Sequence, residues 1–141
     1  ALHEFLKGPY KTKLNKNEIV TRVNIPIPSK ELVGEFYKLG RRRAVAISRI
    51  TLAVLANPQN KTLDEIRIAS GAVTPIGTRF FDLENFAKGK KVEDDFLKEL
   101  SQKLGEQILQ VAGLRYSSEY KLPVVQQIFF QILTGIARRS L

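Results

Sequence analysis

Lys38, Arg41, Arg42 and Arg43 place four cations within six consecutive residues. They fall between two stretches patterned as β-strands, residues 32–39 and 44–55. A turn between strands does not need that much charge to fold, so the cluster points to an anion, a cofactor or a partner. Phe36 and Lys38 share one face of their strand by the two-residue repeat, which sets a cation beside an aromatic ring. Such a pair suits flavin or nucleotide binding. It equally suits single-stranded nucleic acid, where rings stack on bases and cations follow phosphates. A solvated basic turn is the plain alternative.

Other chemistries are excluded by composition. The 141 residues contain no Cys, so thiolate metal sites, iron–sulfur ligation, disulfides and cysteine nucleophiles are out of reach. The single His3 cannot make a metal site or a serine-type triad by itself. The nine glycines form neither the dinucleotide fingerprint nor the P-loop. Glu93, Asp94 and Asp95 read as acids at the start of a helix rather than as a catalytic pair. No self-contained catalytic site is encoded, and the isolated chain is not expected to be an enzyme.

The net charge of +9 is uneven. Residues 1–50 hold 11 Lys/Arg against 4 Asp/Glu, while residues 51–141 hold 12 against 10. The first third therefore carries the field that would draw polyanions or acidic protein surfaces. The longest charge-free run, Leu122 to Ala137, is too short for a bilayer and contains three glutamines. With no secretory signal pattern, no membrane association and a cytoplasmic location are expected. The chain has no Met and opens on Ala1, which reads as a processed chain or part of a longer one.

The elements that must position the cluster follow from periodicity. Residues 1–15 read as an extended lead-in, and 16–141 as one α+β domain. Ile19, Val23, Ile25 and Ile27 share a parity with Thr21, predicting a half-buried strand over 18–27. Val20 then stands out as an apolar residue on the opposite, non-core face. Strands follow at 32–39, 44–55 and, after a turn at Asn57-Pro58-Gln59-Asn60, at 63–73. In the third of these four strands Ile50, Leu52 and Val54 face the core, with Arg49 and Thr51 opposite. Phe80, Phe81, Leu83 and Phe86 fit a short helix. Phe96, Leu97, Leu100, Leu104, Ile108 and Val111 form the buried stripe of a longer one. A last helix, capped at Ser117 or Ser118, is apolar around much of its girth and should be central. The sum is an antiparallel sheet of three to four strands, covered on one face by about three helices.

Several stretches resemble one known family. Phe5-Leu6-Lys7-Gly8-Pro9-Tyr10 through Leu14 is similar to a segment joining two domains there, and 18–26 to the strand that follows. Residues 37–48 closely match its K-x-G-R-R-x-A-x-A-I/V-S pattern. Residues 71–79 resemble its G-x-V-x-P-x-P-x-R stretch, with Gly77 in place of the second proline. Ser118-Glu119-Tyr120-Lys121 resembles the start of its last helix. The family is the C-terminal domain of the FAD-binding medium subunit of molybdenum hydroxylases, which includes the xanthine and carbon-monoxide dehydrogenases. The resemblance implies a missing N-terminal FAD-binding domain, and partners comprising an iron–sulfur small subunit with [2Fe–2S] clusters and a large subunit with molybdopterin. It implies electron flow from the clusters through FAD to an acceptor. Lys38 would stand near the flavin ring and Val20 against it, with Arg41 and Arg42 near its acceptor side and subunit contacts. The A-G-G-T and I-G-G-N loops that supply most FAD contacts in the family do not occur here, so FAD affinity of this chain alone is expected to be weak or absent. The alternatives left beside this reading are a basic nucleic-acid-binding module built on the Lys38–Arg43 corner and a non-catalytic subunit-interaction domain.

Overall fold

The computed structural model describes residues 1–28 and 31–139. Its body is a four-stranded antiparallel sheet in the order β3(Val33–Gly40), β4(Ser48–Gln59), β5(Thr62–Gly71) and β6(Thr78–Arg79). Ahead of it, a short helical turn α1(Leu2–Phe5) leads into a two-stranded ribbon, β1(Leu6–Gly8) with β2(Lys11–Thr12). Three helices follow the sheet: α2(Phe81–Ala87), α3(Asp94–Ala112) and α4(Ser118–Arg139).

Alternation in the central strands puts Ile50, Leu52, Val54 and Ala56 of β4 and Ile66 and Ile68 of β5 on one face, all buried. Leu97, Leu100, Leu104 and Ile108 of α3, with Val125, Ile128, Phe129, Ile132 and Leu133 of α4, complete a single core. Each such side chain contributes roughly 1.5–3 kcal/mol on burial. The expected stripe of α3 holds except at its end, where Val111 is half exposed. Helix α4 is the central one, as its girth of apolar residues requires. Among the described residues no helix lies on the opposite face of the sheet.

The turn between β4 and β5 comes later than its Pro and Asn residues suggest. Asn57 and Pro58 stay in the strand, at a register irregularity. That is a position where a sheet tolerates proline. Asn60 and Lys61 turn the chain, both at positive φ (49° and 61°). This is the backbone of a tight two-residue hairpin. Strand β4 likewise begins at Ser48 rather than at residue 44, because 41–47 forms a loop.

One expected element is absent. Residues 18–27 form no strand, and beyond the Lys13 N–H, which donates to the Phe5 carbonyl, no strand pairing among the described residues involves 14–28. Ile19, Val23, Ile25 and Ile27 point to solvent instead of the core, Ile27 being 95% exposed. Alternation specifies which face of a strand could be buried, but not what buries it or which strand it pairs with. The lead-in also differs from the expected extended segment, since α1, β1 and β2 fold it locally.

Candidate functional site

The candidate site is built on the uncovered face of the sheet. Strand β3 runs Val33-Gly34-Glu35-Phe36-Tyr37-Lys38-Leu39-Gly40, and its register pairs Phe36 with Ala53 and Lys38 with Thr51. The odd residues pair with the buried positions of β4, so Phe36 and Lys38 leave the other face, as the repeat predicts. Phe36 is 64% exposed and Lys38 is exposed beside it. Across the sheet, Ala53 pairs with Ala69 and Thr51 with Gly71. The floor next to the ring and the cation is therefore made of small side chains. A Cβ at residue 71 would lie 2.5 Å from Thr51 Oγ1, so this floor admits no larger residue without displacing Thr51.

At the far side of the floor stand Arg67 and Arg79, which flank a shallow groove over Ala53, Leu55 and Ala69. Neither is a free cation. Arg67 pairs with Glu65 at 2.6 Å. Arg79 donates from Nε and Nη2 to Glu84, at 2.8 Å each for the shortest contacts, and lies over the Phe81 ring. The Glu84 carboxylate holds the Arg79 pKa above its usual value, outweighing partial burial. His3 takes no part in any of this chemistry and packs its ring edge-on to Phe81.

The arginine corner does not act as one cluster. A Cβ at Gly40 would sit 2.8 Å from Ala46 Cβ, so the loop folds back tightly where only glycine fits. Arg42 turns onto its own loop, donating from Nε (3.1 Å) and Nη2 (2.7 Å) to the Val45 carbonyl. Val45 has φ 44°, a strained conformation for a β-branched residue, and the guanidinium fork helps to hold it. Arg42→Lys removes the fork while keeping the charge. Backbone NMR order parameters across residues 43–47 should then fall with the melting temperature nearly unchanged, and unaltered order parameters would show that Arg42 does not restrain the loop.

Arg41 borders one hollow over the loop together with Arg42 and Arg49, and a second with Arg49 but without Arg42. Arg43 is exposed. Val20 lies in the unpaired segment 14–28, half exposed, and is not part of the sheet face that holds Lys38. The structure thus places Lys38 on the open face with Phe36, and it places Arg41 and Arg42 apart from it on the loop. Two contributors escape sequence reasoning. Arg49 is the extra residue of an irregularity in the β3–β4 ladder, where Leu39 pairs with Ile50 but Gly40 with Ser48. Glu84 looks like a surface acid in a short helix yet is buried. The glycine preceding three arginines is the one sequence signal of the first, and the match of Arg79 to a family position is the nearest signal of the second.

Comparison with known proteins identifies the architecture. Residues 35–136 match the CO dehydrogenase flavoprotein C-terminal domain. The chain belongs to that family. The match covers nearly all of the sheet and of the three helices, so the open face, the corner and the buried pair all lie within it. The glyceraldehyde dehydrogenase medium chain of Sulfolobus acidocaldarius is 29% identical over 134 residues, covering 95% of this chain and 47% of the relative. The xanthine dehydrogenase FAD-binding subunit of Escherichia coli O157:H7 is 26% identical, covering 94% and 46%. The chain spans about half the length of the curated relatives it matches. Among solved structures, quinoline 2-oxidoreductase from Pseudomonas putida 86 superposes with a TM-score of 0.80 over 97% of this chain and 47% of the other, at 24% identity. That likeness establishes the fold. Among the described residues no helix is long and apolar enough to cross a membrane, and no group of acids and histidine is arranged to hold a metal.

Proposed function

We propose that this chain is the C-terminal domain of the FAD-binding subunit of a molybdenum-hydroxylase-type oxidoreductase, and that its open sheet face forms one wall beside the flavin ring. The observation that carries the reading is Lys38 beside Phe36 on an uncovered face floored by Thr51, Ala53, Ala69 and Gly71, in a chain of this family. A flat floor of small residues fits a planar ring system, and an exposed ammonium at its edge fits a ring on which negative charge gathers. The chain supplies a wall and not a pocket, since it has no glycine-rich loop for the pyrophosphate. FAD, when bound, supplies electron transfer. In the same reading it lies between the iron–sulfur clusters of a small subunit and an acceptor, with molybdopterin on a large subunit, in a cytoplasmic complex.

This chain's own residues then have separate tasks. Lys38 offers charge at the ring, and Phe36 offers an apolar edge beside it. Val20, on the segment 14–28, is brought to the ring only if that segment is covered by the rest of the subunit; its exposed neighbours Ile19, Val23, Ile25 and Ile27 support such a cover. Arg42 holds the loop, and Arg41 stands at the corner for charge or subunit contact. Family membership favours this reading over nucleic-acid binding.

A flavin-fluorescence titration tests it. The 141-residue chain alone should show no saturable FAD binding, whereas the complete subunit should bind FAD and lose affinity when this domain is removed. Tight FAD binding by the chain alone, or identical binding by the subunit with and without the domain, would refute the proposal.

A further inference from the structure

A second feature of the corner rests on the subunit-contact role proposed for Arg41 and deepens it, without using the flavin wall. The irregularity at Leu39/Gly40 leaves Arg49 without a cross-strand partner, and such bulges re-aim side chains. Arg49 reaches the first turn of α4, where it lines a hollow of about 490 Å³ together with Arg41, Tyr116, Glu119 and Tyr120. Tyr116 is fully exposed and Tyr120 half exposed. Arg115 and Lys121 line a neighbouring cleft, where Arg115 Nε donates to the Ala112 carbonyl at 3.1 Å. The Lys121 ammonium turns inward and donates to the Ala72 carbonyl at 2.7 Å. Burial first, then the neighbouring Arg49 and Arg115, lowers its pKa. Among the described residues, Arg41, Arg49 and Arg115 have no carboxylate partner within ion-pair distance.

We propose that this hollow docks a carboxylate-rich segment of a partner protein. Arginine forks bind carboxylates through two parallel hydrogen bonds, and Tyr and Arg are the side chains that most often anchor protein interfaces. Charge complementarity selects the occupant. A second copy of this chain, at +9, would meet its own sign. A run of phosphates carries charge at every backbone step and needs an unbroken cationic track, which Glu119 on the wall interrupts, whereas a peptide can place carboxylates at Arg41 and Arg49 and a residue of another kind opposite Glu119. An acidic segment fills the place between Arg41 and Arg49, and Glu119 can pair with a basic residue flanking it.

The test uses the 141-residue chain and three labelled probes in fluorescence anisotropy at about 0.1 M salt. The probes are a peptide of roughly twelve residues in which aspartates and glutamates surround one lysine, the same peptide with its acids changed to asparagine and glutamine, and a poly-dT oligonucleotide of equal length. The acidic peptide should saturate and the amide peptide should not. The double variant Arg41→Gln/Arg49→Gln should weaken acidic-peptide binding at least about tenfold. The charge-matched control Lys90→Gln/Lys91→Gln lies beside the hairpin at the other end of β4 and should leave binding within about twofold. Circular dichroism establishes that both variants are folded, and Tyr120→Ala supplies an independent loss without a charge change. Absence of saturation, equal losses in the two double variants, or tighter arginine-dependent binding of the oligonucleotide would each overturn the proposal.

Discussion

Glu84→Ala should cost about 2–4 kcal/mol of stability, the largest loss expected from any single charged residue of this chain. Its carboxylate accepts the Ile68 backbone N–H at 2.8 Å and the Arg79 fork. Strand β6 is only two residues long, paired at Ala69 and Ser70 of β5. Beyond that pairing Ile68 has its carbonyl bonded to the Phe80 N–H, while its own N–H is left to Glu84. The side chain thus stands in for a strand that has ended. Truncation orphans a buried donor and releases the guanidinium. Arg79 is over a third exposed and can turn to water, so its share of the loss is small. The lost hydrogen bond to Ile68 dominates. Glu84→Gln keeps an acceptor for Ile68 and should lose about half as much. Arg79→Gln should lose least, about 1 kcal/mol. Urea denaturation of the three variants checks the order, and an Arg79→Gln loss equal to that of Glu84→Ala would show that the ion pair matters more than the backbone bond.

This pair illustrates what the sequence does and does not disclose. Period-two and 3.6-residue patterns are written by burial, so the strands at 33–40, 48–59 and 62–71 and the three helices were legible, within a few residues at their ends. Lys38 and Phe36 on the outer face followed from the same alternation. Glu84 was not legible, because a carboxylate buried to satisfy one backbone N–H leaves no periodic trace. Arg49 was assigned to the face of Thr51 by counting, but counting shows neither that it lacks a partner in the ladder nor that it borders the hollow beside α4. The segment 18–27 failed for the opposite reason. Its alternation is present, but the layer that would bury Ile19, Val23, Ile25 and Ile27 is not among the described residues. The arginine corner looked uniform in sequence, yet its members diverge once loop geometry assigns Arg42 to Val45 and Arg41 to the hollow.

Lys38→Ala in the complete FAD-loaded subunit should lower the flavin reduction potential by roughly 20–60 mV for the two-electron couple. The figure follows from Coulomb's law. A unit charge some 5 Å from a ring that gains negative charge is worth about 1–3 kcal/mol at effective dielectrics between those of a protein surface and water. Stability should hardly change, because Lys38 faces away from the core over Thr51, and such outward substitutions usually stay within about 0.5 kcal/mol. Lys38→Arg keeps the charge and should retain most of the potential. Arg42→Gln should shift it less than Lys38→Ala does, since the Arg42 guanidinium is already committed to the Val45 carbonyl. Phe36→Ala removes an apolar edge without charge, so it should weaken FAD retention more than it moves the potential. Redox titration of the four variants separates these outcomes. A potential unchanged in Lys38→Ala, with FAD still bound, would remove Lys38 from the flavin wall. A shift equal in Lys38→Ala and Arg42→Gln would mean that the field of the whole basic corner acts on the ring, and that the strand position of Lys38 confers no special role.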